Sequence, residues 1–224
     1  RHDDGPGGQG WDTHSRHLTW SRDELNPPTG RAVSALLTDL DERGMLDLVD
    51  RIYGAVTDRA LWPGVLETIS REFHGASVHI ARMTRGSACD VMMSHGCAPG
   101  PWIAFQRVFG LDRPPPFLAA LPALPLAAPL TPESVEGEDA YLAGELYRQV
   151  MGPSGVRYVV SAVLHREPGW LTFVELWRGH DELPFRPDEL ERLGWIAPHL
   201  GRAVALQFAL GSANGAAAVL ADVI

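Results

Sequence analysis

Phe173, Glu175 and Trp177 alternate along one stretch of the chain, so in an extended strand all three project from the same face. A carboxylate between two aromatic rings is costly to bury without a partner. Two readings stay open. In the first, the face is exposed, or Glu175 pairs with a cation such as Arg157 on a neighbouring strand. In the second, the face lines a ligand pocket, with the aromatics for contact and the carboxylate for orientation. The partners expected across such a pocket are His79 and His95 from an earlier hairpin, and Trp102 and Phe105 from a mid-chain helix. These seven residues are the candidate ligand-binding set.

Other chemistry-bearing groups carry weaker signals. Cys89, His95 and Cys97 lie near one hairpin, and thiolates with imidazole could bind a metal or sense redox state. Their spacing matches no closed metal motif, and paired cysteines often simply pack. No metal and no cofactor is expected. His199 follows Pro198, but no Gly-x-Ser-x-Gly elbow accompanies it. No phosphate-cradling glycine-rich loop is present. The chain is therefore not expected to be an enzyme, and His199 reads as a helix-surface or interface residue.

The elements that must position these groups are legible from periodicity. Met45, Val49, Ile52 and Val56 fall on one helical face. Trp62-Pro63 opens a second helix, with proline in the first turn, whose apolar face is Val65, Leu66, Ile69 and Phe73. Ser77–Met83 and Val91–His95 read as paired strands, and Pro99–Phe109 as a short helix. Residues 112–132 hold seven prolines with interspersed Phe117, Leu118, Leu121, Leu124 and Leu126. That composition predicts an extended apolar loop, packed flat on the domain or covering a cavity. A helix over 139–150, strands over 156–165 and 170–178, and a final helix from Pro187 follow. In that helix Leu190, Leu193, Ala197, Leu200 and Val204 recur at 3, 4, 3, 4 spacing, a seam able to pair with a second copy. Pro198 is expected to kink it.

Composition limits the partners. The net charge is −9 and every one of the 19 cationic residues is arginine, which argues against nucleic-acid binding by these residues. No apolar run approaches the roughly 20 residues that span a bilayer. Two cysteines are too few for a disulfide scaffold. The N-terminus carries no initiator Met and no signal-peptide core, so the chain is expected to be a cytoplasmic fragment. Residues 1–43, with Trp11 and Trp20, read as a flexible arm, 44–210 as one domain, and 211–224 as a linker or truncated tail.

The order of elements predicts an α+β fold, a GAF- or PAS-like sandwich with an antiparallel sheet flanked by helices and a long C-terminal helix. Four segments carry a more specific resemblance: Ala60-Leu61-Trp62-Pro63-Gly64-Val65-Leu66, Leu146–Val160, Pro184–Leu193 and Ala197-Pro198-His199-Leu200. In order and spacing they resemble the N-terminal sensing region of LuxR-type bacterial transcriptional regulators, across roughly 45–208. The resemblance implies a sensory and dimerisation module that binds a small-molecule effector or partner, forms a homodimer through its C-terminal helix, and belongs to a DNA-binding parent. No helix-turn-helix follows Leu206. The Trp/Tyr/Asp constellation of the acyl-homoserine-lactone-binding branch is not mapped onto this sequence, so no particular ligand is implied. A thiol or metal redox sensor built on Cys89, His95 and Cys97, and a dimerisation scaffold with no small ligand, are the alternatives.

Overall fold

A computed structural model of the chain describes residues 45–84, 89–97, 101, 103–104, 107–108 and 114–221. The chain divides into two compact units, Arg1–Leu48 and Val49–Ile224. The first is described only over 45–48, the opening turn of α1, so the expected arm over 1–43 lies outside the described residues, as do Trp102 and Phe105. Apart from that opening turn, all that follows concerns the second unit.

Two helices lead into the sheet. α1 is Met45–Thr57 and α2 is Trp62–Glu72, linked by a 3₁₀ turn over Arg59–Leu61. Pro63 sits in the first turn of α2, where its missing N–H costs nothing. Trp62, Val65, Leu66 and Ile69 are buried along one side of α2. The helix closes on Gly75, whose φ of 84° is open to glycine and whose N–H reaches the Ser70 carbonyl. β1 (Ser77–Thr84) and β2 (Cys89–His95) then form a hairpin with a bulge after Ile80. β3 (Pro129–Leu130), β4 (Val156–Glu167) and β5 (Trp170–Gly179) complete a five-stranded sheet in the order β2-β1-β5-β4-β3, every pairing antiparallel. α6 (Pro187–Ala221) is the last element.

The sheet separates two layers. α2 packs on β1 and β2, and α6 on β4. α6 comes close enough to touch backbone: a Cβ built on Gly201 would overlap the Leu164 carbonyl of β4. The opposite face is covered by the chain between β2 and β4, and its side chains form one buried cluster with Ala81, Val159, Val163, Phe173 and Trp177. The α+β architecture and the long terminal helix are as the sequence predicts.

Four details differ. The proline-rich segment is not wholly extended: it contains α3 (Pro116–Ala120) and a 3₁₀ turn over Leu121–Ala123. Pro115 and Pro116 occupy the N-cap and first helical position, where proline is compatible with a helix. The helix expected over 139–150 is instead α4 (Pro132–Glu136), α5 (Glu138–Ala143) and a π-helical turn over Tyr147–Met151. Gly137 (φ 83°) separates α4 from α5, and at Gly144 the backbone is extended. α6 runs on through Pro198 and past residue 210 to Ala221, so the expected linker is largely helical. The helix runs through Gly211 and Gly215, which cost about 1 kcal/mol each relative to alanine.

The fourth difference concerns the α6 seam. Leu193, Ala197, Leu200 and Val204 are fully buried, with Ile196 and Ala203 beside them. They form the core-facing stripe of a helix lying on its own sheet, not a surface for a second copy. A 3–4 repeat serves either purpose, because both need one apolar face on a 3.6-residue period. Among the described side chains of α6, the outward large apolar residues are Trp195, Leu206 and Leu210.

Candidate functional site

Antiparallel register assembles a polar row across the middle of the covered face. His79 on β1 lies opposite Glu175 on β5, Glu175 lies opposite Ser161 on β4, and Ser161 lies opposite Leu130 on β3. Strand alternation puts Phe173 on one side of this row, paired with Ala81 and Val163. Trp177, paired with Val159, lies on the other side. The expected Phe173, Glu175, Trp177 triplet therefore shares one face, and His79 joins it.

That face is not exposed. Glu175, His79, Phe173 and Ser161 have no solvent-accessible surface and Trp177 has almost none. Nor does Glu175 pair with Arg157. That arginine donates to Glu133 at 3.0 Å and to Glu138, and its guanidinium lies over the Tyr158 ring. One Glu175 oxygen accepts the Ser161 hydroxyl at 2.7 Å, and the other accepts the Trp177 indole N–H at 3.0 Å. Burial pushes the Glu175 carboxyl up to about 7, and these two hydrogen bonds only partly oppose it. The His79 ring lies 4.2 Å from the Trp177 ring, and burial holds its pKa down to about 3, so it is a neutral imidazole at pH 7. A carboxyl that can exist in either protonation state near pH 7, beside a neutral imidazole and an indole, can accept or donate a hydrogen bond to a bound group.

The cover carries one polar group that sequence reading missed. Phe117, Leu118 and Leu121 press on this face from the proline-rich segment, with Val150 and Met151 from the π-helical turn. Tyr141 of α5 joins them, 1% exposed, its ring edge-on to Tyr147 at 5.2 Å. Its hydroxyl is buried without a hydrogen-bond partner. Burial, then the charge of Glu133, raises its pKa; Arg157 opposes this and the Glu175 carboxylate adds to it. Ser161 was missed too. Its signal was present: it is the lone polar residue in Val159-Val160-Ser161-Ala162-Val163. Tyr141 had no such signal, because the cluster that buries it with Phe173 and Trp177 joins residues far apart in the chain.

His95 does not belong to the site. It lies opposite Val78, the neighbour of His79, and successive strand residues face opposite sides, so His95 is on the α2 side of the sheet. The redox alternative also loses its geometry. Cys89 pairs with Met83 and His95 with Val78, at opposite ends of the hairpin, six residues apart or roughly 20 Å. Burial raises the Cys97 thiol, the reverse of a reactive thiolate. Among the described residues no group of three metal-ligating side chains comes together.

A second polar cluster ties the sheet to α6. Arg178, at the end of β5, donates to both Glu189 oxygens at 2.6 and 3.2 Å, to the Phe73 carbonyl that ends α2 at 3.0 Å, and to the Leu183 carbonyl at 3.3 Å. Its guanidinium lies 4.1 Å from the Phe185 ring. Glu189, in the first turn of α6, also accepts the Arg186 backbone N–H at 2.8 Å, as in a capping box. Burial alone would raise the Glu189 carboxyl, but Arg178 and the Arg186 N–H hold it below its ordinary value. His199 sits half-buried further along α6, its Nδ1 3.2 Å from the Tyr53 hydroxyl of α1. Elsewhere an open groove of about 390 Å³ lies between Pro129 and the α6 residues Leu190, Glu191, Gly194 and Trp195, and it contains none of the expected site residues.

No family model matches the chain, and none of the curated proteins does. Solved structures do. The ligand-binding domain of VqsR from Pseudomonas aeruginosa aligns with a TM-score of 0.55 at 10% identity, over 74% of this chain and 96% of that one. CepR2 from Burkholderia cenocepacia, described as an N-acylhomoserine-lactone-dependent LuxR-family transcription factor, aligns at 0.49 and 16% identity, over 71% of this chain and 92% of that one. A GAF domain of Slr1393 from Synechocystis aligns at 0.46 and 13% identity, over 73% of this chain and 98% of that one. At these identities the likeness is one of fold: the chain has an α+β sandwich similar to that of the VqsR ligand-binding domain.

Proposed function

We propose that residues 49–221 are the sensory module of a LuxR-type bacterial transcriptional regulator, acting in the cytoplasm as a non-enzymatic binding domain. A small-molecule effector binds on the sheet face of His79, Phe173, Glu175 and Trp177, beneath the proline-rich segment. DNA contact belongs to another part of the parent regulator. The fold likeness to the VqsR ligand-binding domain and the four resembling sequence segments support this reading. The observation that carries it is Glu175: a fully buried carboxyl that only two neutral donors hold is a costly feature for a purely structural core.

Transmission follows from connectivity. An effector that shifts β5 acts on Arg178 at its end, and Arg178 grips Glu189 in the first turn of α6. The same helix offers Trp195, Leu206 and Leu210 for pairing with a second copy. The experiment is a thermal-shift screen of the purified chain against acyl-homoserine lactones, fatty acids, aromatic amines and flavonoids, repeated on Glu175→Gln and Phe173→Ala. A compound that stabilises the native chain and loses its effect in both variants is the expected result. Stabilising compounds that ignore both substitutions would sink the assignment. A dimerisation scaffold without a ligand is the second reading, favoured by the complete burial of Phe173, Glu175 and His79; a screen without stabilising compounds supports it.

A further inference from the structure

Resting on the reading of the Glu175 face as an effector site, we infer that the effector is an apolar molecule bearing a protonated amine, held by the Glu175 carboxylate against the rings of Phe173, Trp177 and Tyr141.

The carboxylate has acceptor capacity to spare. Its two oxygens offer about four lone-pair positions, and Ser161 and Trp177 occupy two of them. Both donors are neutral, so the charge has no counterion. The cationic and titratable groups on the packed elements do not supply one. Arg157 on β4 is engaged by Glu133 and Glu138 of α4 and α5. Arg178 on β5 is engaged by Glu189. His79 on β1 is neutral, and the Tyr141 phenol on α5 keeps its proton. Among the described residues, then, Glu175 either carries a proton itself or waits for a cation from outside.

Tyr141 is the second observation. Its hydroxyl is buried in the same cluster as Phe173 and Trp177 and has no hydrogen-bond partner, which is costly unless something fills the place. A phenol oxygen accepts from an ammonium N–H. The aromatic faces attract the same cation, most strongly where water is excluded. A neutral carbonyl compound would satisfy Tyr141 but leave Glu175 uncompensated, and an anion would add like charge. An amine with an apolar body answers both groups. Binding then moves one proton: the Glu175 acid releases it to solvent as the ammonium–carboxylate pair forms.

The test uses the full chain and isothermal titration calorimetry with 2-phenylethylamine and its neutral counterpart 2-phenylethanol. The amine is expected to bind more tightly than the alcohol, with about a tenfold gain from pH 6 to pH 8 as Glu175 ionises. At the lower pH, buffers of different ionisation heat should report close to one proton released. Glu175→Gln should lose the amine at least tenfold and flatten the pH dependence. Tyr141→Phe should weaken the amine and keep its pH slope, which decides the matter even if the Glu175→Gln variant folds poorly. Amine binding that is independent of pH, unaffected by Glu175→Gln, or weaker than alcohol binding overturns the inference, as does an amine that does not bind at millimolar concentration. If the alcohol binds and Phe173→Ala abolishes it while the amine has no advantage, the effector site stands and only the amine falls.

Discussion

Glu175→Gln should make this protein more stable above neutrality, although the residue is fully buried and hydrogen-bonded. An exposed carboxyl in the unfolded chain titrates near 4.5, whereas the folded site raises it to about 7. Between those values the folded chain holds a proton that the unfolded chain has lost. Stability contributed by this group is therefore present in acid, falls as pH rises from about 4.5 through 7, and levels off above. At about 1.4 kcal/mol per pH unit the full loss is about 3 kcal/mol. Glutamine cannot ionise and keeps the shape. Its carbonyl can accept the Trp177 N–H, while its amide donates to a Ser161 hydroxyl that rotates to receive it. Urea unfolding of both proteins from pH 4 to pH 9 is the assay. The difference between them should sit near zero in acid and climb to about 3 kcal/mol by pH 8, or about 6–12 °C in Tm for a domain of this size. A difference that stays flat with pH, or that favours the native residue at pH 8, would refute the account of an uncompensated buried carboxyl. A variant that gains stability while losing its ligand is the signature of a group kept for function.

Three further expectations concern α6. Gly201→Ala should destabilise by about 3 kcal/mol, because the added methyl meets the Leu164 carbonyl, which is backbone and cannot rotate away; chemical denaturation that leaves the midpoint unchanged contradicts this. Arg178→Met leaves the buried Glu189 to the more exposed Arg186, at 3.7 Å, and His74, at 3.5 Å, and should cost about 3 kcal/mol near neutrality. Since Arg178 holds the Glu189 carboxyl below its ordinary 4.5, the pair's contribution is present above that value and lost as pH falls below it, so the penalty should shrink in acid. Finally, Leu206→Glu with Leu210→Glu should yield folded monomers by light scattering, whereas Leu200→Glu should unfold the domain; an assembly indifferent to the first pair would exclude this face of α6 from it.

The sequence by itself determined the elements whose signal is local. The 3.6-residue stripes of α2 and α6, proline at the start of α2, and the alternation of Phe173, Glu175 and Trp177 each follow from neighbours along the chain and are found where they were read, whereas the α1 stripe read as Met45, Val49, Ile52 and Val56 is buried at Met45, Leu48, Ile52 and Ala55. Tertiary structure decided which face those patterns meet. The α6 stripe reads the same whether it seeks a partner helix or its own sheet, and contact between Gly201 and Leu164 resolved it inward. His79 and His95 look equivalent in sequence, but a strand period of two and a register with a bulge after Ile80 put them on opposite sides. Arg157 was the nearest cation by strand order, yet α4 and α5 brought Glu133 and Glu138 to it, leaving Glu175 to Ser161 and Trp177. Tyr141 joins Phe173 and Trp177 through long-range packing, which no neighbour along the chain signals. Local periodicity states which residues want burial; only the packed sheet, through register and long-range contacts, settles beside what they are buried.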